Sequence, residues 1–289
     1  MHKNDTYGQR RTLYVTDMDG TLLDLYSKVS PESATLIHDL SRRGALITVA
    51  TARTPATVVP LMRDCHTRVP YVTMTGAAVW NPVKGEYDDL TLLDDDTARR
   101  VKHIMESHGL HPFIYTITPD RRLLAAYHNG PVSRAERSFA DLRRGLDLKR
   151  FYFDDPAGLA DSLPRTILYF AIGEVEATRA VAERLRAAGD CAVSSYTDST
   201  IPGYGIIEVL ARGIDKGAVV RRVARRVGAT RIVAFGDNLN DLPLLRVADL
   251  PVAVGNALPE VKAAASEVIG SNDTDAVARF IEADFMSSH

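Results

Sequence analysis

The chain has 289 residues, a formal net charge of -2, and 45% hydrophobic and 25% charged residues. These values are typical of a soluble globular protein with one large domain or two ordinary ones, and they give no reason to expect a nucleic-acid or membrane partner. No apolar run approaches the ~20 residues that span a bilayer, and the polar residues 1–11 lack the apolar region of a secretory signal and are predicted to be a frayed extension.

The two cysteines, Cys65 and Cys191, lie far apart and in no metal-binding spacing. We predict that both are free thiols in a reducing cytoplasm. The sequence leaves the oligomeric state open between a monomer and a homodimer.

Strand and helix patterns alternate in the first third of the chain. The pattern at residues 31–43 predicts a helix, with Ser30 as its N-cap, a proline in first position and Gly44 as its stop. The other predicted elements are strands at 13–16, 45–50 and 71–74 and a helix at 54–64. Such alternation indicates a parallel, doubly wound sheet.

The pattern changes after about residue 83, where strand-like segments follow one another. Strands are predicted at 90–93, 113–118, 123–127, 166–172, 191–196 and 205–210, and helices at 96–107, 132–143 and 175–188. Runs of strands beside helices favour an α+β insert.

Strand and helix alternate again after Gly213. Helices are predicted at 216–227, 241–247, 258–265 and 273–283, and strands at 231–235 and 252–254. We therefore predict an α/β protein with a doubly wound parallel core formed by residues 1–83 and 211–289, and an inserted α+β domain at 84–210.

Two aspartates, Asp17 and Asp19, directly follow the first predicted strand and precede Gly20. Open α/β sheets bind ligands at the carboxyl ends of their strands. One carboxylate can act there as a nucleophile and the other as a proton donor and acceptor, provided that a metal separates them electrostatically. The alternative is an Asp-rich turn in which Gly20 adopts unusual dihedrals.

A second acidic cluster, containing Asp237 and Asp241, follows the predicted strand at 231–235. Parallel topology places it at the same sheet edge as Asp17 and Asp19. Converging carboxylates repel one another unless a divalent cation lies among them, and all-oxygen ligation favours Mg²⁺ over zinc. Taken alone, the segment also fits a solvated turn.

Thr51 and Lys216 could complete a phosphate site at the neighbouring strand ends. The Thr51 hydroxyl could donate to a phosphoryl oxygen, or it could cap the helix after Pro55. Lys216 stands near a helix start, where the helix dipole favours anions, although a lysine is usually a surface charge.

Together these segments resemble the four motifs of the haloacid dehalogenase (HAD) superfamily, and more narrowly its Cof-like phosphatases of subfamily IIB. The matching residues are Asp17-Met18-Asp19-Gly20-Thr21 for motif I, Thr51 for motif II, Lys216 for motif III, and Gly236-Asp237-Asn238-Leu239-Asn240-Asp241 for motif IV. The segments 254–257 and 271–277 are also similar to that subfamily. The resemblance implies a Rossmann-like core with an inserted cap domain that excludes water during the reaction.

The resemblance also implies residue roles. Asp17 would form an aspartyl-phosphate, and Asp19 would protonate the leaving alcohol and later activate water. Mg²⁺ would be held by the Asp17 and Asp237 carboxylates and the Asp19 carbonyl, with support from Asp241. The phosphoryl oxygens would be held by Thr51, Lys216 and Asn240.

Two residues refine this expectation. The dehalogenase branch lacks a carboxylate at the position of Asp19, so its presence here favours phosphate hydrolysis. The subfamily usually has Asn-Gly after its third strand, whereas this chain has Thr75-Gly76, which puts in doubt a substrate contact assigned to that asparagine.

Cap loops are expected to select the leaving group. The candidate specificity residues are Tyr127, His128, Asn129 and Tyr204, although residues 128–131 also form a good turn sequence. We predict a cytoplasmic, Mg²⁺-dependent phosphatase that acts on small phosphate esters such as sugar or cofactor phosphates.

Two alternatives remain. A phosphomutase would use the same aspartates, but such mutases usually carry a smaller cap directly after motif I, where only residues 22–30 stand here. A catalytically silent binding protein would be expected to have lost at least one of Asp17, Asp19, Lys216 and Asp237.

Overall fold

The computed structural model of the chain describes residues 11–197 and 202–287. Residues 1–10, the greater part of the predicted N-terminal extension, lie outside these ranges. The strands are β1 (Thr12–Thr16), β2 (Leu46–Val49), β3 (Tyr71–Thr73), β4 (Ala78–Asn81), β5 (Glu86–Leu90), β6 (Phe113–Ile117), β7 (Leu124–His128), β8 (Lys149–Phe153), β9 (Thr166–Glu174), β10 (Cys191–Thr197), β11 (Tyr204–Ala211), β12 (Arg231–Gly236), β13 (Leu250–Ala253) and β14 (Glu267–Val268). The helices are α1 (Pro31–Arg42), α2 (Pro55–Leu61), α3 (Asp95–Ser107), α4 (Arg134–Asp141), α5 (Pro156–Ser162), α6 (Val175–Ala188), α7 (Lys216–Arg226), α8 (Leu242–Leu245), α9 (Pro259–Ala264) and α10 (Ala276–Ser287).

The first sheet is parallel and has the strand order β14-β13-β12-β1-β2. Its inner strand β1, between β12 and β2, is buried along its whole length, as expected for a parallel strand that is covered on both faces. Thr16, the last residue of β1, is in register with Phe235 of β12 and Val49 of β2. The loops that follow these three strands therefore meet at one edge, which places the predicted motifs side by side.

A small antiparallel sheet, β3-β4-β5, continues this layer through a parallel bridge between Ala50 and Val72. The strand predicted at 90–93 is wrong in position, because the strand occupies Glu86–Leu90 and pairs with β4. The hydrophobic pattern favoured residues 90–93. The position of β5 is set instead by its pairing with β4, a strand that the sequence pattern did not predict.

The second sheet has six strands in the order β10-β11-β9-β6-β7-β8. Its neighbours are antiparallel except for β7 and β8, which are parallel. One face packs against α3 and α6 through residues such as Met105 and Leu185. The other face carries Phe113 and Phe170 in a cluster with Met74 from the loop between β3 and β4. This face therefore packs against the small sheet, and the loops after β1 and β2 lie opposite it across a cleft.

The predicted fold class, a parallel α/β core with an inserted α+β unit, is confirmed. The helix predicted at 132–143 is shorter, Arg134–Asp141, and the helix predicted at 273–283 runs from Ala276 to Ser287. The sequence patterns missed β4, β8, β14 and α5. The domain boundaries at 83/84 and 210/211 stay a prediction.

Cys65 and Cys191 are free thiols, as predicted, and both are buried. Within the described ranges, no helix combines the length and the apolar character needed to cross a membrane.

Candidate active site

Asp17 lies directly after β1, where its backbone N–H donates to the Phe235 carbonyl at 3.0 Å. The chain then makes a tight turn over Met18–Leu22, in which Gly20 has φ +74°. A Cβ at Gly20 would lie 2.5 Å from Oδ2 of Asp237. Glycine is required here both by the backbone conformation and by this close approach.

Lys216 joins two carboxylates from different loops. Its Nζ donates to Asp17 Oδ1 at 2.5 Å and to Asp241 Oδ1 at 2.7 Å. The lysine is fully buried and begins α7, whose N-cap is Asp215. The interpretation of Lys216 as a surface charge is therefore wrong.

Asp241 also organises its own loop. Its Oδ2 accepts from the backbone N–H groups of Asp237 and Asn238 at 3.0 and 3.1 Å. This arrangement needs the glycine at position 236, since a Cβ there would lie 2.6 Å from Cβ of Asp241. One carboxylate thus supports both Lys216 and the loop that carries Asp237.

Asp237 is held by motif I, because Thr21 Oγ1 donates to its Oδ1 at 2.9 Å. Carboxylate oxygens of Asp17, Asp237 and Asp241 all lie within 4.8 Å of one another. When all three carboxylates are ionised, they carry two more negative charges than the single positive charge of Lys216 balances. This donor set fits a divalent cation that prefers oxygen ligands.

The electrostatics of the cluster show the same excess of negative charge. Burial, and then the Asp241 charge, raise the pKa of Asp17 well above its usual value. The same two causes raise the pKa of Asp237 to about 6. Burial alone would lower the pKa of Lys216, but Asp17 and Asp241 raise it overall. The lysine therefore stays protonated, and a further cation would favour the ionised carboxylates.

Asp19 lies outside this cluster and binds Arg53 instead. The guanidinium donates from Nε to Oδ2 at 2.7 Å and from Nη2 to Oδ1 at 2.6 Å. The Asp19 side chain is 55% exposed, so it can reach a bound molecule, whereas Asp17 is buried. The two aspartates of motif I therefore have different surroundings, as different roles require.

The predicted phosphate ligands lie around these carboxylates. Thr51 is buried, and its Oγ1 accepts from the N–H of Arg53 at 3.2 Å, so it organises the loop after β2. Asn240 is half-buried and lines a cavity of about 180 Å³ together with Lys216 and Thr75.

A larger cleft of about 500 Å³ opens between the loops of the first sheet and the face of the second sheet. Asp19 and Arg53 line it from the first side. Its other wall is mainly apolar and aromatic, and it includes the charged residues Arg143, Lys149 and Glu208. Burial raises the pKa of Glu208 to about 7, against the opposing effect of Lys216.

The four candidate specificity residues lie elsewhere. The hydroxyls of Tyr127 and Ser162 are 3.1 Å apart, and Asn129 Oδ1 accepts from the N–H of Asp155. His128 is completely buried, with Nε2 3.3 Å from Glu136. Tyr204 packs in the apolar cluster of the second sheet. None of the four lines the large cleft, so a substrate contact for them stays a prediction.

Sequence reasoning assigned no role to several residues that shape the site. Asn256 and Asn272 donate to the carbonyls of Gly20 and Leu23, each at 2.7 Å, and so fix the turn after Asp17. The similarity of segments 254–257 and 271–277 to subfamily IIB was the signal for these two. Arg143, Lys149 and Glu208 gave no signal, because their burial in the cleft depends on the tertiary structure.

A family model described as haloacid dehalogenase-like hydrolase matches residues 14–281. The chain belongs to this family. The predicted resemblance is confirmed, and the intact carboxylates and lysine of the site are those that carried it. The chain is therefore expected to be an enzyme of the hydrolase class, as predicted.

Relatives of similar length are named phosphatases. The 5-amino-6-(5-phospho-D-ribitylamino)uracil phosphatase YitU of Bacillus subtilis is 25% identical, with 93% of this chain and 96% of that protein covered. The HMP-PP phosphatase of Serratia proteamaculans is 27% identical, with 92% of each chain covered. The pyridoxal phosphate phosphatase YbhA of Escherichia coli is 25% identical, with 92% and 95% covered. These relatives support the prediction of a phosphoric monoester hydrolase.

Solved structures of HAD hydrolases share the fold. A haloacid dehalogenase-like hydrolase from Bacteroides thetaiotaomicron has a TM-score of 0.77 at 23% identity, covering 95% of this chain and 100% of that one. A HAD subclass IIB sugar phosphatase has a TM-score of 0.72 at 20% identity, covering 94% and 98%.

Proposed function

We propose that the chain is a Mg²⁺-dependent phosphatase that hydrolyses small phosphorylated metabolites through an aspartyl-phosphate on Asp17. The observation that carries the proposal is the bridge from Lys216 to Asp17 and Asp241 beside Asp237. It holds the Asp17 carboxylate against the protonated Lys216, whose positive charge offsets part of the repulsion when one anion attacks another.

In the first step, an Asp17 oxygen attacks phosphorus while the bond from phosphorus to the ester oxygen breaks. The leaving alcohol takes a proton from Asp19, which lies on the exposed side of the site. In the second step, water attacks the aspartyl-phosphate and gives a proton to Asp19. Inorganic phosphate leaves, and the Asp17 carboxylate is restored.

The remaining site residues position the phosphoryl group. Its oxygens are assigned to the hydroxyl of Thr51, the ammonium of Lys216 and the amide of Asn240. Mg²⁺ would be held by Asp17, Asp237 and the Asp19 carbonyl, with Asp241 in support, and it would supply charge neutralisation.

The substrates are assigned to sugar phosphates or cofactor phosphates. A cleft of about 500 Å³ suits a small metabolite. The names of the relatives give a phosphorylated ribitylaminouracil and pyridoxal phosphate as substrates of those proteins. We assign residues 84–210 to a cap that closes over the core and excludes water.

The test is hydrolysis of p-nitrophenyl phosphate with Mg²⁺, with EDTA, and by Asp17→Asn. We expect EDTA and Asp17→Asn each to lower the rate by at least 100-fold. Asp161→Asn is the matched control, because Asp161 is exposed on α5. Equal rates under all conditions would exclude this mechanism and favour a silent binding protein.

A further inference from the structure

The wall of the cleft formed by the second sheet contains a buried cation. Lys149 begins β8 and is 3% exposed, yet it lines the cleft. Its Nζ lies 5.1 Å from the Phe151 ring centroid and 5.5 Å from that of Tyr115. Among the described residues, no carboxylate lies within ion-pair distance of this ammonium. Unpaired buried charges are costly, so such a residue is usually functional.

Arg143 adds a second cation to the same wall. Its guanidinium carbon lies 4.0 Å from the Phe139 ring centroid, and its Nη1 donates to the Phe139 carbonyl at 3.0 Å. Within the described part of the chain, Arg143 too has no carboxylate partner. Its pKa is lowered by burial and by Arg53, and the charge of Asp19 opposes this shift. Arg143 also lines the same cleft as Asp19 and Arg53.

Two acidic residues line the cleft: Asp19 is paired with Arg53, and Glu208 is too distant to neutralise Lys149. Glu208 lies on β11, and β9, β6 and β7 separate that strand from β8. Four strand spacings correspond to roughly 19 Å. Between the two positions the wall is apolar, with Tyr115, Leu168 and Phe170. This wall of the cleft thus has cationic residues at one end and an apolar, partly aromatic surface beside them.

Resting on the proposed phosphatase function, we propose that Arg143 and Lys149 form an oxyanion subsite for the leaving group. The preferred substrates are then phosphate monoesters whose alcohol carries a second anionic group, a carboxylate or a phosphate, on a flat or apolar body. The body packs on Phe139 and Phe170, and the second oxyanion supplies the missing partner of the two cations. A neutral alcohol would leave Lys149 and Arg143 without an anionic partner.

Matched aryl esters test this subsite. Hydrolysis is compared for 3- and 4-carboxyphenyl phosphate and for the corresponding carbamoylphenyl phosphates, which lack the second negative charge. Resorcinol bisphosphate is included because its second anionic group is a phosphate, so its rate shows whether the subsite prefers a phosphate or a carboxylate. We expect kcat/KM to be at least tenfold higher for an anionic ester than for its carbamoyl analogue. Lys149→Met and Arg143→Gln should each lower kcat/KM for the anionic ester at least tenfold and change the carbamoyl ester less than twofold.

Arg150→Gln is the control variant, because Arg150 is the exposed neighbour of Lys149 on β8. If Lys149→Met does not fold, the subsite is still tested by Arg143→Gln and by the preference of the wild-type enzyme for anionic over carbamoyl esters. Active wild-type enzyme with no preference for the anionic esters, or equal losses for both ester types, would overturn the subsite and leave the phosphatase function intact. If no ester is hydrolysed, the proposed function fails. In that case the dissociation constants of the carboxyl and carbamoyl esters are measured by calorimetry. Equal dissociation constants for the two esters would overturn the subsite.

Discussion

Arg53 holds the carboxylate of Asp19 through two parallel hydrogen bonds of 2.7 and 2.6 Å. This pairing fixes the orientation of the proposed acid and base, because a guanidinium matches both carboxylate oxygens at once. A lysine keeps the charge and cannot make the same fork. The pair is therefore expected to act through the geometry of Asp19.

We expect Arg53→Lys to lower kcat for p-nitrophenyl phosphate by about tenfold to 100-fold, a part of what acid–base catalysis contributes. The measurement is kcat against pH for both enzymes. A positioning role predicts an altered pH profile in the variant. A loss confined to KM would assign Arg53 to substrate binding instead.

Gly20→Ala should destabilise the protein and also remove activity. The substitution costs about 1–2 kcal/mol for the left-handed backbone, and its Cβ would meet Asp237 at 2.5 Å. Gly189→Ala is the matched control, because Gly189 has φ +72° and open space around its Cβ position. Thermal unfolding and p-nitrophenyl phosphate hydrolysis are measured for both variants. Equal stability losses, with activity retained in both, would show that the contact with Asp237 has no effect.

Mg²⁺ should stabilise the folded chain, since a cation bound only to the native state adds stability by mass action. The gain is about 2.7 kcal/mol at a concentration 100 times the dissociation constant. Differential scanning calorimetry with Mg²⁺ and with EDTA measures it. Asp237→Asn should abolish most of the gain and Asp161→Asn should not. A gain that survives in Asp237→Asn would place the ion elsewhere.

Thr75→Asn should stabilise the protein. Thr75 has φ +55°, a left-handed conformation that a β-branched residue adopts at a cost and that asparagine tolerates. The hydrogen bond it gives up, from Oγ1 to Glu208 at 3.5 Å, is long. We expect a gain of about 1 kcal/mol in the free energy of unfolding, measured in urea. A loss of similar size would mean that the Thr75 hydroxyl outweighs the strain.

Lys149→Met should also stabilise the protein, in a manner that depends on pH. Burial, and then Arg143, lower the pKa of Lys149 to about 7 in the folded state, against 10.5 for an ordinary lysine. The folded chain therefore binds fewer protons between pH 7 and 10.5, and wild-type stability rises across that window. The advantage of the variant, on the order of 1–4 kcal/mol, should be full below pH 7 and shrink as the pH rises toward 10.5.

Urea unfolding of both proteins at several pH values measures this difference, with Arg150→Gln as the control. An advantage that does not change with pH would mean that Lys149 keeps an ordinary pKa in the folded protein. A destabilised variant would mean that contacts of the charged side chain with Tyr115 and Phe151 outweigh its desolvation.

The sequence by itself determined which edge of the first sheet carries the acidic cluster and its lysine. Asp17 and Asp237 follow apolar strands, and Lys216 begins an amphipathic helix. Their sequence patterns predict these elements, and parallel topology brings the three residues to the same edge of the sheet. The same local rules located the Ser30 N-cap of α1, whose side chain accepts from the Ser33 N–H. These features depend on residues that are close together in the sequence, so local sequence patterns predict them.

Only the tertiary structure decided the leaving-group side. His128 was predicted in a loop but ends β7 in the core, whereas Lys149, for which the sequence predicted no role, is buried at the cleft. The burial of both depends on which strands pair in the second sheet, and strand order is set by contacts far apart in sequence. A charged residue that borders a cleft has the same local sequence pattern as one that faces solvent. The difference between them arises only when the second sheet packs over the loops of the first.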